Sequence, residues 1–238
     1  MLVRPMVSDA GNLARSAYPG DIIAGGENIL AGGIATAGAG VWTGAAIAAG
    51  IIRRTGPGAG YTDTTDTATN IIAALKGNAG CNVVPGSTFR TLFINTVAQA
   101  MTFAAGTGVV AGTGTLNCAA SLVREYLWTI LNASDPQTLQ CNTTNASALV
   151  TFVLPSGASS LPLMASNGPI GAAAITPGMT VSGTGITAGT TVIGITMGQG
   201  GMVGVTLSAV ATATSAVGGV ALSFGPTVQI DSLRSTTL

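Results

Sequence analysis

From Ser87 to Thr96 the side chains alternate with period two. Phe89, Thr91, Phe93 and Asn95 fall on one side, and Arg90, Leu92 and Ile94 on the other. A period of two places alternate residues on opposite faces of a strand. The pattern recurs more strongly over Ser121–Leu131, where Leu122, Arg124, Tyr126, Trp128 and Ile130 alternate with Val123, Glu125, Leu127, Thr129 and Leu131. Shorter runs predict strands at 51–54, 98–104, 109–115 and 147–154. Four more fall at 179–182, 190–197, 203–208 and 219–224, and a last one at 226–233. Gly106-Thr-Gly and Gly112-Thr-Gly supply turns between them.

One stretch carries the helical period instead. Ile71, Ile72 and Leu75 form one apolar face. Asp63 to Thr67 offer capping oxygens and acidic charge at its start, Lys76 sits in the last turn, and Gly77 stops it. This predicts a helix of about ten residues near Thr67–Lys76. Thr43 can cap a single further turn over the Gly-Ala-Ala-Ile-Ala-Ala that follows it. The expected fold class is mainly β: a β-barrel or sandwich-like domain with one short helix, a second small β module and an extended N-terminal arm. The expected divisions are an arm at 1–50, a β domain with the helix at 51–154, a low-complexity linker at 155–174, a small β module at 175–225, and a C-terminal strand at 226–238 returning to the first domain.

Composition changes the picture most through what is missing. The 95 positions from Pro136 to Ile230 contain no Asp, Glu, Lys or Arg, and the 238-residue chain contains no His. An ordinary segment of that length carries roughly 24 charges. Acid–base catalysis, metal binding and phosphate binding rest on those side chains, so this region is built to pack and assemble. Eight basic residues balance eight acidic ones, which leaves no basic surface for nucleic acid. A weakly charged neutral surface favours self-association. Asn28 to Ile52 is uncharged and long enough to span a bilayer, but its Gly and Ala contribute little transfer free energy, so strands and turns are expected and a membrane partner is not. Residues 1–25 suit an arm that orders on a neighbour.

Candidate chemistry is sparse. A Ser–His–Asp arrangement is excluded by the lack of His. The Gly-Thr-Gly turns lack the Lys and the strand–helix context of a phosphate loop. Asp63 and Asp66, at a helix start, read as cap and dipole residues. Cys81, Cys118 and Cys141 form no CxxC pair and read as buried thiols, with a Cys118–Cys141 bridge left open. No catalytic, cofactor-binding or metal-ligating residues are expected. Arg53, Arg54, Arg90, Arg124 and Glu125 are the candidates for contacts with a partner or between subunits, Arg124 and Glu125 on opposite faces of one strand.

Two sets of motifs carry a resemblance. Pro177-Gly-Met-Thr-Val-Ser-Gly-Thr-Gly-Ile, Ala188-Gly-Thr-Thr-Val, Val205-Thr-Leu-Ser and the Ala-Thr-Ala-Thr run at Ala211 resemble a β-rich module that recurs in tailed-bacteriophage virion proteins. Arg54-Thr-Gly-Pro, Thr62-Asp-Thr-Thr-Asp-Thr-Ala, Gly86-Ser-Thr-Phe and Ala105-Gly-Thr-Gly are similar to segments of phage head decoration, cement and head-fibre proteins. The resemblance covers about residues 50–225. It implies a structural virion protein on the outer surface of the capsid, a homotrimer whose partner is the major capsid protein. The alternative is another phage appendage: a head fibre, a tail or baseplate component, or a receptor-binding adhesin.

Overall fold

The computed structural model describes residues 6–8, 14–16, 32–77, 83–153, 161–162, 175–198, 201–217 and 219–237. The rest of the expected arm and linker, and Cys81, lie outside the described residues. The chain is mainly β, as the period-two patterning predicts.

β1 (Met6–Ser8) and β2 (Ala14–Ser16) pair antiparallel. β3 (Gly32–Ile34), β4 (Gly40–Trp42), α1 (Gly44–Ala48), β5 (Ile51–Arg54), β6 (Tyr61–Thr65), α2 (Ala68–Gly77), β7 (Thr88–Asn95) and β8 (Met101–Ala104) follow. Successive strands in this run alternate between two sheets. β3, β5 and β7 are parallel neighbours in one, and β4, β6 and β8 in the other. The chain therefore winds as a parallel coil. The first sheet grows to six strands through β10 (Leu122–Asn132), the last strand β18 (Thr227–Thr237) and β9 (Val109–Ala111), in the order β3-β5-β7-β10-β18-β9.

The two sheets face each other across aromatic rings. Trp42 on β4 stacks on Phe93 of β7 at 4.7 Å and meets Tyr126 of β10 edge-on at 5.4 Å. These three rings are fully buried, and geometry of this kind adds about 0.5–1.5 kcal/mol per pair beyond area burial. The inward residues of β7 are Phe89, Thr91, Phe93 and Asn95, the set that alternation had grouped.

The helices continue the inner layer. Thr43 caps α1 by accepting from the Ala46 N–H at 3.2 Å. Thr67 caps α2 by accepting from the Asn70 N–H at 3.2 Å. Ile47, Ile71 and Leu75 bury completely beside Phe89 and Trp128. Gly44 lets the helices touch, because a Cβ there would lie 2.5 Å from the Asn70 carbonyl oxygen. The stretch from Gly40 to Ala49, placed in the arm by composition, thus belongs to the core: Trp42 and Ile47 outweigh the surrounding Gly and Ala.

The second unit is a small barrel. β11 (Gln137–Asn142), β12 (Leu149–Phe152), β14 (Thr180–Ser182), β15 (Val192–Gly198), β16 (Gly201–Leu207) and β17 (Val220–Gly225) pair antiparallel in the cyclic order β15-β16-β12-β11-β17-β14. A bridge from Thr180 to Thr191 closes the ring. The short β13 (Leu161–Pro162) pairs with β16. Val150, Met179, Val205, Leu222 and Phe224 fill the interior. β11 and β12, grouped by sequence with the first domain, belong to this barrel. They pair with each other, but their other cross-strand partners, on β17 and β16, lie more than fifty residues downstream, beyond the reach of a local pattern.

Gly44→Ala is expected to lower the melting temperature by several degrees, at about 2–4 °C per kcal/mol for a chain of this size, since the clash is with backbone and no rotamer relieves it. Gly38→Ala, where a Cβ meets open space, should leave it unchanged. Paired thermal melts check both.

Candidate functional site

Arg53 and Arg54 are neighbours on β5, so they point to opposite faces. Arg54 turns inward and is wholly buried, so the expectation that it contacts a partner is corrected. Its Nη1 donates to Ile34 O at 3.1 Å, to Thr36 O at 2.9 Å and to Thr36 Oγ1 at 2.9 Å, and its Nη2 donates to Gly38 O. Nε lies 3.2 Å from Asp63 Oδ2 without the alignment of a hydrogen bond. The guanidinium also sits 4.7 Å above the Tyr61 ring, a cation–π contact. Asp63, equally buried, accepts from the Gly40 N–H at 2.8 Å and from Trp42 Nε1 at 3.2 Å. It is therefore an ion-pair residue on β6 and not part of the helix cap. Thr67 holds the cap, and Asp66 beside it ties the starts of the two helices together, accepting from Gly44 N, Thr67 N and Asn70 Nδ2. Tyr61 donates to Asn95 Oδ1 at 2.9 Å, and Asn95 donates to Gln99 O and Ala119 O. Burial, followed by the Asp63 charge, raises the Tyr61 pKa well above its ordinary value, which holds the phenol protonated as a donor.

The outward face of the six-stranded sheet gathers the other charges. Glu125 of β10 accepts from Arg90 Nη1 of β7 at 2.9 Å and from Arg234 Nε of β18 at 2.5 Å. The carboxylate side chain is 11% exposed, whereas the arginines are 64% and 76% exposed. Partly exposed Leu92, Ile94, Val123 and Leu127 lie beside this triad, and exposed Arg53 lies on β5 beyond them. Arg124 points the other way, as strand alternation predicted. Its Nη1 donates to Thr115 O at 2.6 Å and Ser232 Oγ at 2.7 Å. The structure thus joins Arg90 and Glu125, sets Arg53 on the same face, and removes Arg54 and Arg124 from it. Sequence reasoning placed Arg234 in the C-terminal strand but missed it as a member of this cluster. Its pairing opposite Glu125 depends on a register across more than a hundred residues.

At the far edge of that sheet Asp231 ties down the turn after β9. It accepts from Thr113 N, Thr113 Oγ1 and Gln229 Nε2. Burial would raise its pKa, but the Thr113 N–H, the Gln229 amide and the Thr113 hydroxyl outweigh this and hold it below the usual carboxylate value. An open cleft of about 500 Å³ lies between residues 105–111 and 180–189, lined by Ala, Gly, Thr, Val, Ile and Ser. None of these carries charge. Among the described residues no group of three or more His, Cys, Asp or Glu converges, and no helix is long and apolar enough to cross a membrane. Cys118 and Cys141 are buried free thiols in separate cores, so the bridge between them does not form. Burial pushes their pKa values up to about 11 and about 12.

Asp63→Asn leaves the Arg54 charge buried without a counter-charge, so it should cost about 3–5 kcal/mol in urea unfolding. Replacing both residues, by Arg54→Met with Asp63→Leu, should cost clearly less than the sum of the single changes. Acid should act through Asp231. Its folded carboxyl binds a proton more weakly than the unfolded one, whose pKa is about 3.9. The resulting stabilisation is present above the unfolded pKa and is lost as pH falls through the folded pKa. Melting temperatures below about pH 4 should therefore fall less steeply for Asp231→Asn than for the native chain.

Comparison with known proteins returned no matching family model, no matching curated protein and no matching solved structure.

Proposed function

We propose that this chain is a structural virion protein: a decoration or cement protein on the outer surface of a bacteriophage head, bridging major capsid subunits. The observation that carries the reading is the outward face of the six-stranded sheet. Its partly exposed aliphatic side chains stand among three exposed arginines, while Glu125 spends both carboxylate oxygens on two of those arginines. An apolar centre with a charged rim is the anatomy of a protein–protein contact. The absence of any charge across 136–230 supports the same reading, since a chain in bulk solution ordinarily keeps its surface charged. The virion setting rests on the resemblance of the motifs, and the homotrimer is part of the proposal on that same ground.

The apolar centre dominates attachment in this reading, so moderate salt should release little of the protein from purified particles. Leu127→Asp, on the outward face, should release most of it. A cryo-EM map of the intact particle tests the whole proposal. The expected result is hundreds of copies over the head with the β5–β7–β10 face against the major capsid protein. A dozen or fewer copies at the tail would overturn it in favour of an appendage component.

A further inference from the structure

Closed barrels have no strand edges to offer, and the second unit closes over most of its circumference. At its seam Val192 N donates to Met179 O at 2.8 Å, Gly178 N donates to Val192 O at 2.8 Å, and Val181 N donates to Thr190 O at 2.8 Å. Beyond Val192 the β15–β16 hairpin runs on past the seam. β12 and β13 line the far side of β16, but the outer side of β15 has no partner there among the described residues. Leu207 N donates to Ala148 O, so Leu207 and Val205 turn their backbone groups toward β12, and Thr206 and Gly204 turn theirs toward β15. Ile195 lies opposite Val205, so both of its backbone groups face the open side. Met197, two residues on, repeats this. Ile193 and Met197 are 60% and 53% exposed. The overhang contains no charge and no Pro, two of the usual means of blunting an edge; its register shifts place the extra residues at Ile193 and, across from Thr196 and Met197, at Val203 on β16, so the alternation from Gly194 to Gly198 is kept.

We infer that this overhang pairs antiparallel with the same overhang of a second copy of the chain, across a twofold axis at Thr196. In that register Ile195 exchanges backbone hydrogen bonds with the partner's Met197, and Met197 with the partner's Ile195. The two Thr196 residues face each other as a non-hydrogen-bonded pair, with Cα atoms about 4.5 Å apart. The segment is complementary to itself. Each aliphatic side chain meets another across the new ladder, and no charge repels the like edge or selects an unlike one. This inference is independent of the virion reading. Within a trimer the same contact would link one trimer to the next.

Thr196→Cys in the full-length chain tests it, because the expected separation lies within the disulfide range of about 4.4–6.8 Å between Cα atoms. Under mild oxidation most of the variant should run as a covalent dimer on a non-reducing gel. The native chain and Thr206→Cys, whose site is on the inner strand of the hairpin, should not. Thr196→Lys sets two like charges on the axis and should weaken self-association in sedimentation equilibrium about tenfold or more, with an unchanged circular dichroism spectrum and melting temperature. A folded Thr196→Cys chain that stays monomeric on the gel, or a native self-association untouched by Thr196→Lys, would overturn the pairing. Neither result depends on particles, so this failure is separable from failure of the virion reading.

Discussion

The buried pair of Arg54 and Asp63 holds the parallel coil in register. Each turn of such a coil brings two strands beside those of the turn before, and the chain between them must close tightly. Arg54 closes the first turn by donating to three carbonyls at alternate positions, Ile34, Thr36 and Gly38. Asp63 fixes β4 through the Gly40 amide and the Trp42 indole. Through Trp42 the pair reaches the aromatic cluster, and through Tyr61 and Asn95 it reaches the third turn. Gly40 is needed here because a Cβ would come within 2.9 Å of Asp63 Oδ1. Ion pairs removed from water are seldom a net source of stability, and their best-attested use is to select one arrangement over others. In a chain with so few aromatic residues to pack uniquely, that role falls to this network.

Much of the fold was legible because strand alternation is a local property. The faces of β7 and β10 follow from period two alone, and the caps at Thr43 and Thr67 follow from residue type beside a short apolar stripe. Pairing was not legible. Nothing within Gln137–Asn142 says that it will lie beside Val220–Gly225 and not beside β10, and nothing local distinguishes a parallel coil from an antiparallel sandwich. The candidate face shows the same division. Alternation separated Arg124 from Glu125 correctly. It could not tell Arg53 from Arg54 as contact residues, because which face of β5 is buried depends on where Trp42 and Tyr61 arrive. Arg234 needed the cross-strand register.

The uncharged region takes on a definite form in the barrel. Small β-branched and Gly residues allow tight curvature, and ring closure satisfies backbone groups that would otherwise need solvent or a partner. A surface without charge is tolerable when few edges remain to be templated. Among the described residues the charges lie outside the barrel strands: Arg54 and Asp63 are sealed in the coil, Arg53, Arg90, Glu125 and Arg234 share one sheet face, and Lys76 pairs with Asp135 at the surface. The two units thus divide the work: one carries the directional polar contacts, and the other presents a neutral shape.

The barrel is inserted between two strands that touch. β10 ends at Asn132, which pairs with Thr227 at the start of β18, and the strands described between them, β11 to β17, form the second unit. β18 then lies in the interior of the first sheet, between β10 and β9. During synthesis the ribosome delivers β3 to β10 early, yet their sheet lacks an interior strand until residue 227 and beyond have emerged. The barrel has all its strands by Gly225. Domains tend to fold as their residues become available, so on this topology maturation runs against the direction of translation: the later unit completes first, and the earlier one waits for the end of the chain to zip in beside β10.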